Sequence, residues 1–267
     1  MTDVIARNHV KVLGRGTQPI VFAHGFGCDQ KMWRFIVPAF ENDYRVVLFD
    51  YVGSGKSDSA AYDVARYATL DGYASDVLEV LETLDLRDVI FVGHSVSSMI
   101  GVLAANRAPQ RFNKLIMVGP SPRYINDGDY VGGFERADIE GLLELMDKNY
   151  IGWANFLAPV IMKNDDRPEL TSELHESFCS TDPKITRRFA ETTFFADNRA
   201  DLGKLRVPSL IMQCSEDAIA PVEVGHYLHR TVPQSTLRLL KATGHCPHVS
   251  HPEETVEAIK SYLSKAA

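Results

Sequence analysis

Short apolar runs alternate with helical patterns along the chain, and this alternation is the feature that most restricts the fold. The runs are "IVFA" (20–23), "RVVLFD" (45–50), "VIFVG" (89–93), "KLIMVG" (114–119) and "SLIMQC" (209–214). Such runs, bounded by turn residues, are typical of strands buried on both faces of a sheet. Amphipathic helices are predicted at 70–86 and, closing the chain, at 254–266. The pattern therefore predicts an α/β fold with a mostly parallel central sheet and helices on both faces.

Two segments depart from this alternation. The N-terminal run "HVKVLG" (9–14) alternates apolar and polar residues and is predicted as an antiparallel edge strand. Between residues 121 and 199, three stretches are helical in pattern and separated by Pro168 and Pro183: "ERADIEGLLELMDKNYIGWANFLAPVIM", "RPELTSELHESFCS" and "DPKITRRFAETTFFADN". We expect three or four helices here, inserted after the "KLIMVG" strand, with residues 1–120 and 200–267 forming the core around the sheet.

Composition excludes several classes of function. The net charge is -7 over 267 residues and no basic cluster stands out, which argues against a nucleic-acid partner. No signal-peptide core is recognisable, and no apolar run approaches the ~18 residues of a membrane span. The four cysteines lack C-x-x-C spacing, so we expect no disulfide framework and a reducing, cytoplasmic location. A monomer is expected, because no exposed apolar repeat stands out.

The stretch "FVGHSVSSMIG" (91–101) is nearly the G-x-S-x-G of a serine hydrolase, except that Ser97 replaces the last glycine. In that motif the serine sits on a sharp turn from strand to helix, and small neighbours let the two elements approach closely. A hydroxymethyl group at position 97 is still small. The alternative is that Ser95 only caps the following helix. The motif alone leaves both interpretations open.

The partners that a serine nucleophile needs are present in the expected order. A histidine must remove the proton of the hydroxyl and an acid must orient that histidine; in this fold the chain order is serine, acid, histidine. Asp217 follows the "SLIMQC" strand, and His245 follows the next strand in "TGHCPHVSHPEE". We predict Ser95, Asp217 and His245 as the triad. Glu216 competes with Asp217 but is expected to point away from it.

Two other histidines and one glycine-rich stretch suggest different chemistry. His248 and His251 follow His245 at three-residue spacing, but no carboxylate or cysteine set for a catalytic zinc accompanies them, so no metal and no cofactor are expected. We interpret both as structural. "DYVGSGKSD" ends like a phosphate-binding loop, but Asp50 stands where that motif needs a glycine, so a strand-to-helix turn is favoured.

The oxyanion of an acyl-transfer intermediate needs two backbone N–H donors. Val96, the residue after the nucleophile, is predicted to supply the first. The loop "HGFGCDQ" after the "IVFA" strand is predicted to supply the second, from Phe26. Motif, triad order and loop together favour a serine hydrolase.

The chain resembles, nearly end to end, the α/β-hydrolase subgroup of the bacterial sigma-B stress-response regulator RsbQ and the plant karrikin and strigolactone receptors. The segments that carry this resemblance are "HGFGCDQ", "YRVVLFDYVGSGKSD", "FVGHSVSSMIG", "VGPSPRYINDGDYVGGFE", "NYIGWA", "FCSTDP" and "GHCPHVSHPEET". "NYIGWA" and "FCSTDP" look closer to the bacterial regulator. "GHSVS" is familiar in the plant receptors, which makes Ser97 a feature of the subgroup.

The resemblance implies an α/β-hydrolase fold with a four-helix lid (121–199) inserted after the sixth strand, over an apolar pocket with the serine at its floor. It implies these pocket-lining residues: Phe26, Tyr124, Phe134, Leu142, Trp153, Leu157, Phe194 and Ala218. Such a pocket suits a small lipophilic ester or lactone, for example a butenolide. A signalling role with a phosphatase-type protein partner is implied as well. A plain metabolic carboxylesterase or C–C bond hydrolase, and a ligand-binding regulator with little turnover, remain alternatives.

Overall fold

One seven-stranded sheet organises the computed structural model, which describes residues 3–264. The strands are β1 (Lys11–Leu13), β2 (Pro19–Ala23), β3 (Arg45–Phe49), β4 (Val89–His94), β5 (Phe112–Val118), β6 (Ser209–Glu216) and β7 (Ser235–Thr243). Their order in the sheet is β1-β3-β2-β4-β5-β6-β7. β1 pairs antiparallel with β3, and all other neighbours pair in parallel. The predicted parallel sheet and its antiparallel N-terminal edge strand are confirmed.

Helices follow most of the strands. They are α1 (Val4–Arg7), α2 (Leu70–Thr83), α3 (Val96–Arg107), α4 (Arg136–Lys148), α5 (Tyr150–Met162), α6 (Pro168–Cys179), α7 (Pro183–Phe194), α8 (Arg199–Leu202), α9 (Val222–Thr231), α10 (Pro247–Ser250) and α11 (Pro252–Leu263). The helix predicted to close the chain is α11; its predicted last residues, 265–266, lie outside the described residues. None of the helices in residues 3–264 combines the length and hydropathy needed to cross a membrane.

Both faces of the sheet are buried, as the continuous apolar runs predict. Along β2, Val21 and Ala23 belong to the apolar cluster that includes α2, α3 and the helices of the insert. Ile20 and Phe22 belong to the opposite cluster, with residues of α11. Successive side chains of a strand point to opposite faces, so each face of β2 receives its own apolar layer.

Five helices, α4 to α8, lie between β5 and β6, and the four longer ones, α4 to α7, form the insert. Pro168 and Pro183 occupy the first turn of α6 and α7, where the missing N–H costs nothing, so the two prolines begin helices. The insert follows the fifth strand, and the predicted position after the sixth was wrong. The reason is that residues 3–18 contribute a single strand, β1, before the central β2.

The strand order places the two motif-bearing loops side by side. β3 lies on one side of β2 and β4 on the other, so the direction of winding changes between β2 and β4. In open α/β sheets, ligands bind at the carboxyl ends of the strands beside such a change. The "HGFG" loop follows β2 and Ser95 follows β4, and both therefore stand at this position.

Candidate active site

Ser95 lies on a strained turn between β4 and α3. Its backbone angles are φ 55° and ψ -123°, and a non-glycine residue in such a conformation costs on the order of 1–3 kcal/mol. The Ser95 amide donates to the Val118 carbonyl of the neighbouring strand at 2.8 Å. Gly93 is required for close packing, because a Cβ there would lie 2.5 Å from the Ser97 carbonyl oxygen. The small residues of the motif thus let helix and strand meet closely beside the Ser95 hydroxyl.

The three predicted triad residues form a hydrogen-bonded series with His245 in the middle. The distance from Ser95 Oγ to His245 Nε2 is 2.7 Å, and the distance from His245 Nδ1 to Asp217 Oδ2 is also 2.7 Å. The carboxylate can only accept, so Nδ1 carries the proton and Nε2 is free to accept the proton of the serine hydroxyl. The arrangement is that of a nucleophile, a base and an orienting acid.

The loop after β6 holds Asp217 in place and turns its neighbour outward. Asp217 Oδ1 accepts the backbone N–H groups of Ile219 at 2.8 Å and Ala220 at 3.1 Å, which leaves Oδ2 for the histidine. Glu216 pairs instead with Lys163 at 2.5 Å on the exposed side, and the ammonium group lowers the pKa of its carboxyl. Glu216 thus points away from the site, as the sequence predicts.

His245 is fixed at both ends of its backbone. Its N–H donates to the Ile161 carbonyl near the end of α5, at 2.8 Å. Its carbonyl oxygen lies 2.8 Å from Nε2 of His94, the residue that precedes the serine. The preceding Gly244 has a φ of +79° and leaves no room for a Cβ, which would lie 2.1 Å from the Met162 carbonyl oxygen. The histidine therefore sits on a loop that is tightly fitted against the last turn of α5.

Ser97, the departure from the usual motif, joins the two loops of the site. Its buried hydroxyl donates to the carbonyl of His24, the first residue of the "HGFG" loop, and lies 3.0 Å from the Tyr51 hydroxyl. A glycine at this position makes neither contact. Ser97 therefore fastens the loop that carries Phe26 to the first turn of α3.

The two predicted oxyanion donors are Phe26, which lines the same cavity as Ser95, and Val96, which directly follows Ser95. Val96 is the first residue of α3, where a backbone N–H has no partner within the helix. Neither N–H donates to a backbone carbonyl in the turns and loops of residues 3–264. Both groups are consequently free to serve the predicted role as oxyanion donors.

A small apolar cavity lies above Ser95. It is lined by Phe26, Cys28, His94, Ser95, Tyr124, Ile161, Leu174, Phe178, Thr193, Phe194, Ile219, His245 and Cys246. Its volume is about 20 Å³, close to what one water molecule needs. A larger groove of about 550 Å³ runs along α7, but no triad residue lines it. The insert is thus closed over the nucleophile.

The Tyr124 hydroxyl faces the nucleophile within this cavity. It lies 3.4 Å from Ser95 Oγ, at the outer limit of a hydrogen bond. Burial raises the pKa of Tyr124 above its usual value, so the hydroxyl stays neutral. The site therefore offers the neutral Tyr124 hydroxyl beside that of the serine.

Three of the eight predicted pocket residues line the cavity: Phe26, Tyr124 and Phe194. Five do not: Phe134, Leu142, Trp153, Leu157 and Ala218. Trp153 and Leu157 of α5 are buried behind Phe26, with the Trp153 and Phe26 ring centroids 6.1 Å apart. Phe134 and Leu142 are only half-buried.

Ala218 is exposed, because the turn around Asp217 points Ile219 inward instead. Sequence reasoning missed Ile219, which carries no motif of its own. It also missed Phe178, although this residue opens the "FCSTDP" segment. Phe178 packs so closely on Gly27 that a Cβ at that glycine would lie 2.2 Å from its ring.

Two thiols of the cavity are not competing nucleophiles. Burial raises the pKa of Cys28 to about 12 and that of Cys246 well above its usual value. The thiolate is the reactive form of cysteine, so both groups are inert at neutral pH. Ser95, whose Oγ lies 2.7 Å from His245 Nε2, is left as the candidate nucleophile of the cavity.

His248 is buried beneath the triad, not at its surface. Its ring packs against that of Trp33, with the centroids 4.4 Å apart and the ring planes tilted by 34°. Within residues 3–264, no three His, Cys, Asp or Glu side chains are grouped so as to hold a metal ion. His248 is therefore part of the packing under the site.

The chain is similar to known proteins along most of its length. The model of the alpha/beta hydrolase family matches residues 20–258. Karrikin insensitive 2 receptor IA of Petunia hybrida is 40% identical over 256 residues, which cover 96% of this chain and 93% of that protein. Strigolactone esterase D14 of Arabidopsis thaliana is 37% identical over 264 residues, 98% of each chain.

Solved structures include a hydrolase from Oleispira antarctica with a TM-score of 0.97 and 46% identity, covering 99% of this chain and 97% of that one. An esterase from Exiguobacterium antarcticum has a TM-score of 0.89 at 24% identity, and shares the fold. The strained turn at Ser95 and the closed insert thus occur in a chain that is similar to proteins named as a receptor, an esterase and a hydrolase. The chain belongs to the α/β-hydrolase family of enzymes.

Proposed function

We propose that the protein hydrolyses a small lipophilic ester or lactone, such as a butenolide, and that it senses this ligand in a signalling role of the RsbQ type. The observation that carries the proposal is the Ser95–His245–Asp217 chain, with two contacts of 2.7 Å, at the floor of an apolar cavity. The hydrogen-bonded Ser95–His245–Asp217 arrangement supports the hydrolytic activity, and the apolar cavity supports the class of ligand.

The reaction proceeds by acyl transfer to water. His245 Nε2 takes the proton of Ser95 Oγ as the oxygen bonds to the carbonyl carbon, and the Phe26 and Val96 N–H groups bind the oxyanion. The C–O bond to the leaving group then breaks, and the leaving oxygen takes the proton from Nε2. Water, deprotonated by the same nitrogen, attacks the acyl carbon; the bond from that carbon to Ser95 Oγ then breaks, the acid leaves, and Oγ takes the proton back from Nε2. Asp217 holds the imidazole tautomer and stabilises the imidazolium throughout.

The cavity supports a small apolar ligand. Its lining consists mostly of aromatic and aliphatic side chains, and the polar groups cluster around the nucleophile. A sugar or a peptide would need more polar groups outside the reacting centre than this cavity has. Two relatives are named a karrikin receptor and a strigolactone esterase, names that unite ligand sensing with hydrolysis.

Residues 121–199 act in this proposal as the lid. A cavity of about 20 Å³ admits no ester, so α4 to α7 must move before a ligand enters. A lid that a bound ligand keeps displaced changes the outer surface of the protein. That change is the signal which a protein partner, of the phosphatase type, reads.

Replacement of Ser95 tests the chemistry. Ser95→Ala is expected to lower kcat for a p-nitrophenyl ester by about 10⁴-fold or more, because the residue supplies the attacking atom. Ser98→Ala is the matched control: its hydroxyl only donates to the Gly93 carbonyl at 2.9 Å, and it does not line the cavity. Intact-mass measurement after incubation with butenolide and generic esters should find the acyl adduct on Ser95. Full turnover by purified Ser95→Ala protein would reject the mechanism.

Sensing is tested separately from turnover. A butenolide is expected to bind the Ser95→Ala protein without being cleaved. This binding should shift the melting temperature of the variant and change its affinity for a candidate partner. Rapid turnover of one metabolite without either effect would favour a plain carboxylesterase or C–C bond hydrolase. Ligand-dependent partner binding without an acyl adduct would favour a regulator with little turnover.

A further inference from the structure

His94 connects the two halves of the triad through the backbone. It directly precedes Ser95 in the elbow, and its Nε2 lies 2.8 Å from the carbonyl oxygen of His245. The imidazole rings of His94 and His245 lie 5.0 Å apart, so this contact runs from ring to backbone and not from ring to ring. The His94 side chain therefore links the backbone next to Ser95 to the backbone of His245.

The protonation of His94 is settled by its surroundings. A carbonyl oxygen only accepts, so Nε2 must carry a proton to form this hydrogen bond. Complete burial, reinforced by the neighbouring His248 and His245, holds the pKa of His94 well below its ordinary value. The ring is therefore neutral, and its single ring proton is on Nε2. Nδ1 is buried without a partner among residues 3–264.

The opposite end of His245 is anchored by the insert. The Ile161 carbonyl accepts its N–H, and the loop before it is held by a bond of 2.8 Å from the Gly244 N–H to the Glu216 carbonyl. The Ile161 contact thus holds the peptide group before the His245 Cα, and the His94 contact holds the peptide group after it.

We propose that His94 is a positioning residue, which holds the imidazole of His245 at its 2.7 Å distance from Ser95 by binding the His245 carbonyl. The inference rests on the proposed function, because it concerns the triad's own geometry. The side chain of a histidine has only two torsions, so the placement of its ring follows the placement of its peptide. Errors of about 1 Å in such a placement cost on the order of 10²-fold in rate.

The test compares two leucine substitutions in one ring cluster. His94→Leu removes the donor to His245. His248→Leu is the matched control, because His248 is equally buried and packs 4.4 Å from the His94 ring but makes no hydrogen bond in residues 3–264. We expect His94→Leu to lower kcat for a p-nitrophenyl ester by about 10²-fold with KM little changed. His248→Leu is expected to keep its kcat.

Two amide substitutions cover the case in which His94→Leu fails to fold. His94→Gln places an N–H donor near the position of Nε2. His94→Asn places its donor near the position of Nδ1, because the asparagine side chain is too short to reach the carbonyl. The glutamine variant is expected to exceed the asparagine variant in kcat by about tenfold, the value of one hydrogen bond of roughly 1.4 kcal/mol.

A spectroscopic measurement separates positioning from general structural damage. In ¹⁵N-histidine-labelled protein, the low-field proton signal of His245 Nδ1–H reports its contact with Asp217. We expect His94→Leu to broaden or shift this signal and His248→Leu to preserve it. Equal kcat values for the two leucine variants, or equal values for the two amide variants, would overturn the inference while an inactive Ser95→Ala protein upheld the proposed function. An active Ser95→Ala protein would reject the function itself.

Discussion

Acid is expected to destabilise the protein through His248, which is completely buried under the active site. Its ring centroid lies 4.4 Å from those of Trp33 and His94, and neither ring nitrogen has a hydrogen-bond partner in residues 3–264. Burial lowers the pKa of His248 to about 3, with smaller contributions from His245 and Arg34. The folded protein therefore keeps this ring neutral at pH values where an exposed histidine is charged.

The size of the effect follows from the difference between the folded and unfolded states. In the unfolded chain the pKa of a histidine is about 6.5. Between pH 6.5 and pH 3 the unfolded chain binds a proton that the folded protein does not, so the free energy of unfolding falls as the pH falls. Each pKa unit corresponds to about 1.4 kcal/mol. At pH 5, about 1.5 units below the unfolded value, the loss relative to neutral pH is about 2 kcal/mol.

Urea unfolding of the wild type and of His248→Leu at pH 7 and pH 5 measures this loss. Leucine has a similar volume and does not titrate, so the decrease in free energy of unfolding between the two pH values should be about 2 kcal/mol smaller in the variant. Other titrating groups contribute to both proteins and cancel in the difference. His226→Gln, a substitution of an exposed histidine, is the control for the loss of a histidine as such. Equal decreases in the wild type and in His248→Leu would refute the reasoning.

Two further substitutions test the site. Ser97→Ala leaves the His24 carbonyl and the Tyr51 hydroxyl without their shared partner and should lower the free energy of unfolding by about 1–3 kcal/mol in urea titrations; an unchanged midpoint would contradict the role of Ser97 as a fastener. Asp217→Asn should lower kcat for a p-nitrophenyl ester by about 10⁴-fold, because the amide favours the wrong imidazole tautomer. Glu216→Gln, one residue away but paired outward, should retain wild-type kcat, and a comparable loss there would argue against Asp217 as the orienting acid.

The mostly parallel sheet, its antiparallel edge strand and the places of Ser95, Asp217 and His245 after their strands could be predicted because each depends on local signals. A buried strand is visible as an apolar run, and in a parallel sheet the residues after consecutive strands meet at one edge. Gly93 and Ser97 mark the close approach of α3 to β4. No distant contact is needed to recognise any of these features.

The lining of the cavity could not be predicted in the same way. Whether Ala218 or Ile219 points inward depends on two hydrogen bonds to Asp217 Oδ1, which no periodicity records. Trp153 and Leu157 belong to the apolar face of α5, as a pattern would indicate, but the rings of Phe26 and Phe178 stand between them and the nucleophile. The depth of a side chain within a helical layer is set by how the helices pack, and sequence spacing reports only its face.

The closed cavity above Ser95 has a consequence for affinity. Only the fraction of molecules with the insert displaced binds a ligand, so the measured dissociation constant is the intrinsic one divided by that fraction. If about one molecule in a hundred is open, binding is weakened about 100-fold, or about 2.7 kcal/mol. A partner protein that binds the displaced insert more tightly raises the population of open molecules and so raises the affinity for the ligand. The ligand raises the affinity for the partner by the same factor. Ligand and partner then strengthen each other's binding without ever touching.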